Sequence, residues 1–274
     1  MTIAGSDPSG GAGVQADIKT MSAIGVYACS VITALTVQNT MGVAKVFSVD
    51  GECVRKQIEA VMSDIMPSVV KVGMLNNLET AEAIAESLGR YAGQDLKIIL
   101  DPIIASSSGK QLLSDEALRY VIDKILPMSM LVTPNIPEAE ILSGMKINNN
   151  DDRMEAARRI LTFGAKAVLV KGGHSDSRVK SDLLVTADGQ EKWFSMLGVE
   201  TRNTHGTGCT LSSAIASYLA LGDRLDDAVQ KAKRFVNDAL KAGRDMELGH
   251  GTGPLQHFFS ALDDRLSGRI PHDK

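Results

Sequence analysis

The chain is 274 residues long, 44% hydrophobic and 23% charged, with a formal net charge of −4. That length holds one large α/β domain, or two small ones, with ample core, while the mildly acidic balance and an aromatic content of 4% argue against nucleic acid or an anionic membrane as partner. Three widely spaced cysteines, Cys29, Cys53 and Cys209, lack metal-finger spacing and point to reduced thiols in the cytoplasm; no basic leader precedes the first strand, and no apolar run nears the roughly 20 residues that span a bilayer.

Met1-Thr2-Ile3-Ala4-Gly5 opens on a first strand that leads into a glycine-rich loop through Gly13. That loop is neither a Walker A sequence nor a dinucleotide fingerprint; it marks either a tight turn or a close approach of backbone to a ligand. Val26 to Leu35 reads as a buried strand. Val69 to Val72 is a strand, with a helix near Leu78 to Leu88. Lys97 to Leu100 is a strand ending at Asp101-Pro102, with a helix near Ser114 to Ile125. Met130 to Thr133 is a strand ending at Pro134. A helix over about Asp152 to Phe163, with Asp151 as N-cap, carries Met154, Ala157, Ile160 and Leu161 at helical spacing. The strand Ala167 to Val170 ends at Lys171-Gly172-Gly173, and a hairpin follows, Asp182 to Thr186 and Glu191 to Ser195 around Asp188-Gly189. Three helices close the chain, near Thr210 to Leu221, Leu225 to Ala242 and Pro254 to Leu266. Apolar strands separated by helices predict an α/β fold with a mostly parallel sheet covered on both faces. No repeat or long linker divides it, so residues 1–274 read as one domain.

Ligands of such sheets bind beyond the carboxyl ends of the strands. The strongest feature there is Gly206-Thr207-Gly208-Cys209, where a turn opens directly into a helix-forming run. Outward N–H groups and the helix dipole make that a site for an anion such as a phosphoryl group. At the helix start Cys209 reads as an acid, base or nucleophile, with a thiolate accessible near neutral pH; the plainer reading is a small packing residue. Asn135 and Glu138 flank a helix start near Pro137. They suit Mg²⁺ as oxygen ligands, or equally a cap and a dipole partner. Lys171, before two glycines, reaches phosphates or is a solvated lysine at a turn. His174 and His205 read as polar loop residues, and Cys29 and Cys53 as packing residues.

Several stretches resemble the hydroxymethylpyrimidine/phosphomethylpyrimidine kinase family of the thiamine pathway. They are Ala4 to Asp17, Val31 to Thr40, Lys71 to Leu75, Thr133 to Ala139, Val170 to His174, Thr201 to Thr210 and Gly249 to Phe258, in family order over nearly the whole chain. The resemblance implies a ribokinase-like three-layer αβα fold. It implies ATP- and Mg²⁺-dependent phosphorylation of 4-amino-5-hydroxymethyl-2-methylpyrimidine and then of its monophosphate, in a cytoplasmic homodimer. It matches Gln38 to a pyrimidine contact, where a carboxamide complements a ring acceptor beside an amine, and Gly5, Ala12, Asp17 and Met74 to other pocket positions. Gly206 to Cys209 match an anion hole. Lys171, Thr207 and Asp101 match ATP or phosphate positions, and Asn135 and Glu138 a metal motif acting through water. Cys209 stands where many relatives of the wider fold family carry a basic aspartate.

The chain departs from the family at Ser107, where a lysine is common; Lys110 is close enough in sequence to replace it. A pyridoxal kinase of the same branch is the nearest alternative, disfavoured by Gln38-Asn39-Thr40 and Lys171-Gly172-Gly173-His174. A non-catalytic pyrimidine sensor is the alternative from another class, disfavoured because the anion hole and acidic residues are kept.

Overall fold

The computed structural model describes residues 1–91, 95–105, 112–173 and 178–260. The strands are β1 (Thr2–Ser6), β2 (Ser30–Asn39), β3 (Gly42–Ser48), β4 (Val69–Val72), β5 (Lys97–Leu100), β6 (Leu131–Val132), β7 (Ala167–Val170), β8 (Val179–Thr186) and β9 (Glu191–Leu197). They form one nine-stranded sheet in the order β3-β2-β1-β4-β5-β6-β7-β8-β9. Pairings from β2 through β7 are parallel, and β3, β8 and β9 join antiparallel. The chain leaves β1 for β2 on one side and returns to β4 on the other. The strand order therefore reverses at β1, where α/β sheets open a crevice for ligands.

Helices cover both faces, as the apolar strands require. On one face lie α2 (Gly51–Asp64), α3 (Leu78–Gly89), α4 (Asp115–Tyr120), α5 (Ile136–Ser143) and α6 (Asn150–Leu161). On the other lie α1 (Gly13–Ile24), α7 (Thr207–Ala220) and α8 (Leu225–Gly243). Alternate strand residues feed the two cores. Ile98, Leu100, Val132, Val168 and Val170 enter the first core, and Ile99, Leu131, Ala167 and Leu169 the second. The stripe Val229, Ala232, Phe235, Val236 and Ala239 seats α8, each large side chain contributing about 1.5–3 kcal/mol on burial. Among the described residues no helix is long and apolar enough to cross a membrane.

Several elements differ from expectation. The strand expected over Val26 to Leu35 begins at Ser30 and runs on to Asn39, forming a hairpin with β3. The glycine loop ends sooner than its composition suggests, because Gly13 already opens α1. Asp151 is not the cap of α6: Asn149 accepts the Asp152 N–H at 2.9 Å. After Tyr120 the helix widens into a π-turn over Val121–Ile125. Of the helix expected from Pro254 to Leu266, residues 254–258 are not helical and residues 261–266 lie outside the described residues. Pro254 instead forms a single bridge with His205.

Candidate active site

The carboxyl ends of β1, β4, β5, β6 and β7 meet the start of α7. Asp101, first after β5, is 1% exposed and accepts hydrogen bonds from Lys171 Nζ (2.8 Å), Thr133 Oγ1 (3.1 Å) and Ser212 Oγ (3.2 Å). Burial opposes its charge, yet Lys171 and Lys71 hold its carboxyl below the usual range. Burial likewise opposes the charge of Lys171, and Asp101 and Glu138 keep its ammonium above its ordinary range. Two of the three residues matched to ATP or phosphate, Lys171 and Asp101, are thus present as ions in one pair.

Gly208 faces this pair. A Cβ there would lie 3.4 Å from Lys171 Nζ and 3.8 Å from Asp101 Oδ2, so the absent side chain leaves room beside the cation. Gly206 caps α7 with φ of 87°, and a Cβ would fall 1.7 Å from the Gly11 carbonyl oxygen. Only glycine permits both that conformation and the close approach of the two loops. The turn leaves fewer donors free than the stretch from Gly206 to Cys209 suggests. Thr207 donates its N–H (3.2 Å) and its hydroxyl (2.7 Å) to the Thr204 carbonyl, while Thr210 N–H closes on Gly206 O at 2.8 Å. Among the described residues, no acceptor meets the N–H groups of Gly208 and Cys209. Those two orphan donors of the first turn are the ones available to an anion.

Cys209 is buried, and burial pushes its thiol up to about 11; Lys71 and the Gly13 N–H pull the other way without prevailing, and Asp17 and Asp101 add to the rise. The thiolate expected near neutral pH is therefore overturned: desolvation outweighs the helix dipole. Asp17, expected in the pocket, is fully buried on α1. Its carboxylate takes Lys71 Nζ at 2.8 and 3.0 Å, Thr2 Oγ1 at 2.6 Å and Ser213 Oγ at 2.6 Å. These donors come from β1, β4 and α7 and tie α1 to the elements around the crevice. Burial works against the charge of Lys71, but Asp17 overrides it and raises the ammonium above its ordinary range.

Asn135 and Glu138 make a reciprocal capping box at α5. Glu138 N–H donates to Asn135 Oδ1 (2.9 Å) and Asn135 N–H to Glu138 Oε2 (2.8 Å). The helix begins at Ile136, one residue before Pro137. Burial pushes the Glu138 carboxyl up to about 7, against the pull of Lys171.

Across the crevice, Gly5 packs on Met74, whose sulfur would lie 3.0 Å from a Cβ there. Ala12 N–H donates to Asp7 Oδ2 at 2.9 Å. The same oxygen lies 2.8 Å from His205 Nε2, which is 3.2 Å from Gln38 Nε2. His205, read as a bland loop residue, thus joins the glycine loop to the pyrimidine-matching glutamine; no sequence signal marked it beyond its place before Gly206. Lys71 had one, a lysine inside an apolar strand, which must find an acid. A C-terminal strap holds both sides. Gly251 and Thr252 donate N–H groups to Thr40 Oγ1 (3.1 Å) and Thr40 O (3.0 Å), and His205 N–H donates to Gly253 O at 3.0 Å. Ser107, Lys110 and His174 lie outside the described residues.

Known proteins similar to this chain are kinases. A family model for phosphomethylpyrimidine kinase matches residues 7–256. The hydroxymethylpyrimidine/phosphomethylpyrimidine kinase of Escherichia coli strain K12 is 44% identical over 259 residues, 94% of this chain and 96% of its own length. That of Rhizobium meliloti is 45% identical with the same coverage. The crystal structure of phosphomethylpyrimidine kinase from Clostridium difficile 630 shares 46% identity with a TM-score of 0.77, over 87% of this chain and 97% of that one. An ADP complex of Bacillus subtilis pyridoxal kinase superposes with a TM-score of 0.86 at 31% identity, over 95% and 97% of the two chains. Shape alone does not separate the two activities; sequence does.

Proposed function

The chain belongs to the phosphomethylpyrimidine kinase family, and from that membership we propose how its residues divide the work. It is a phosphotransferase of thiamine biosynthesis acting on hydroxymethylpyrimidine and its monophosphate. The observation that carries the assignment of roles is the pair of unpartnered N–H groups at Gly208 and Cys209 beside the Lys171–Asp101 ion pair. ATP is the phosphoryl donor. Its terminal phosphate lies on those amides, with Lys171 neutralising charge, and the pyrimidine lies against Gln38, Gly5, Ala12 and Met74.

The substrate hydroxymethyl oxygen attacks the γ-phosphorus as the bond to ADP breaks. Phosphoryl transfer depends mainly on positioning and charge stabilisation, which the amides and Lys171 supply. Cys209 stays protonated beside the reacting oxygen and shapes its pocket. The hydroxyl proton leaves late, to the transferred phosphoryl group, once the forming P–O bond has made it acidic. Mg²⁺ is the expected cation: Asn135 and Glu138 would hold it through water, and it would supply charge neutralisation at the phosphates. Glu138 Oε2 and the single side-chain oxygen of Asn135 are engaged in the capping box, and among the described residues no three His, Cys, Asp or Glu groups converge on a metal. The donors therefore fit a cation held through its own waters, as Mg²⁺ usually is.

Three wider readings complete the proposal. The continuous sheet supports one domain over 1–274. Three free cysteines suit a reducing cytoplasm. Leu35, Val37 and Phe47, all exposed on β2 and β3, suit burial against a second copy, which sedimentation would register as a homodimer. ATP consumption measured with hydroxymethylpyrimidine, its monophosphate and pyridoxal side by side tests the substrate assignment. Preference for pyridoxal would overturn it.

A further inference from the structure

The hydrogen bonds around Gln38 do not balance in the orientation in which its amide stands. Thr36 Oγ1 lies 2.9 Å from Ser6 O and 3.1 Å from Gln38 Oε1. Both are acceptors, and a threonine hydroxyl has one hydrogen. His205 Nε2 lies 2.8 Å from Asp7 Oδ2 and 3.2 Å from Gln38 Nε2. Asp7 already receives Ser9 N–H (2.9 Å), Ser9 Oγ–H (2.7 Å) and Ala12 N–H (2.9 Å). Three such donors mark an ionised carboxylate that only accepts, so His205 Nε2 carries its hydrogen toward Asp7. An amide N–H of Gln38 then points at another N–H. One half-turn of the carboxamide relieves both conflicts: its amino group donates to Thr36, Thr36 donates to Ser6, and its oxygen takes the longer share of the one His205 Nε2 hydrogen, whose shorter bond goes to Asp7.

We propose that Asp7, acting through His205, pins the Gln38 carboxamide in a single orientation and so makes it a one-handed reader of 4-aminopyrimidines. This rests on the reading of Gln38 as the pyrimidine contact. A free glutamine is ambidextrous: it complements an amine beside a ring acceptor, or, turned over, a carbonyl beside a ring N–H. With its oxygen held on the His205 side and its amino group on the Thr36 side, only the first pattern fits. The 4-oxo analogue of the substrate presents the inverted pattern and meets two unmatched polar groups. His205 is a positioning residue here, since it acts on the ring through Gln38.

The measurement is the ratio of kcat/KM for 5-hydroxymethyl-2-methylpyrimidine carrying a 4-amino or a 4-oxo group. Any loss of phosphoryl transfer common to both cancels in that ratio. The wild type is expected to favour the amine by on the order of 10²-fold or more. His205→Leu and His205→Phe free the amide and should bring the ratio below about tenfold, chiefly by raising use of the oxo compound. His205→Gln, which returns an N–H to Asp7, should restore it. Near-equal use of both compounds by the wild type, or an unchanged ratio in the Leu and Phe variants, overturns the proposal. Gln38→Leu separates the two layers. A wild-type ratio in that variant means that Gln38 is not the reader at all; a lost ratio there, with the His205 variants unchanged, removes only the pinning. If the variants are unstable, calorimetric binding of the two pyrimidines to the wild type reads the same preference, and equal affinities there overturn the proposal.

Discussion

Replacing Cys209 with alanine sets two large effects against each other. A general base contributes about 10²–10⁴-fold, or ~3–5 kcal/mol. To act as one, Cys209 must first ionise, and burial pushes its thiol up to about 11. At pH 7 that leaves on the order of one thiolate in 10⁴ chains, a cost of about 5 kcal/mol. The cost cancels the gain, so Cys209→Ala should lower kcat/KM by about tenfold or less, the loss coming from altered packing beside the reacting hydroxyl. Steady-state assays of both proteins from pH 6 to 10, with saturating ATP, give the answer. The wild type should show no tenfold rise per pH unit. A 10²-fold or larger loss in the variant, or a log-linear rise with pH that the variant abolishes, would restore the thiolate base and refute this reasoning.

Other perturbations bear on the frame of the site. Lys71→Met strands the fully buried Asp17 carboxylate and should cost about 3–5 kcal/mol in urea unfolding, while adding Asp17→Leu should recover most of it; additive losses would mean that the pair is not coupled. Gly206→Ala places a methyl against the Gly11 carbonyl and should lower kcat by about 10²-fold or more, as removal of anion-hole donors does; normal turnover would take the turn out of catalysis. The Glu138 carboxyl, raised by burial from 4.5 to about 7, holds a proton in the folded state that the unfolded chain has lost over that window. Its contribution to stability therefore declines as pH rises from 4.5 to 7. Thermal melts of Glu138→Gln should show a shallower decline there, and identical slopes would count against a buried, titrating Glu138.

The parallel half of the sheet was readable because its strands are short, apolar and closed by chemical punctuation: Asp101-Pro102, Pro134 and Lys171-Gly172 fall where β5, β6 and β7 stop. The strands Val69–Val72, Lys97–Leu100 and Ala167–Val170 lie where the pattern places them. The hairpin of β2 with β3 was harder. No residue of Gly42–Ser48 is buried, so that run has no core-facing apolar stripe to betray it. At the site, residue identity announced the anion-binding turn, but not which amides stay free. That depends on Thr207 turning back to Thr204, a matter of loop geometry. Nor could a helix start reveal how deeply Cys209 is buried, and burial decides its charge. His205 was opaque for a related reason: its partners, Asp7 and Gln38, are brought to it only by the closed fold.

That closure sets a condition on how the chain becomes active. Asp7 meets His205 across 198 positions of sequence, and Thr40 receives Gly251 across 211. Contacts of such span form late, after the entropy of closing long loops has been overcome. During synthesis the early strands β1 to β5 can pair while the ribosome is still making α7, the strap and the turn between them. An emerging chain thus acquires its scaffold before its chemistry, and phosphoryl transfer begins only when the last segment laces the hairpin tip to the Gly206 turn.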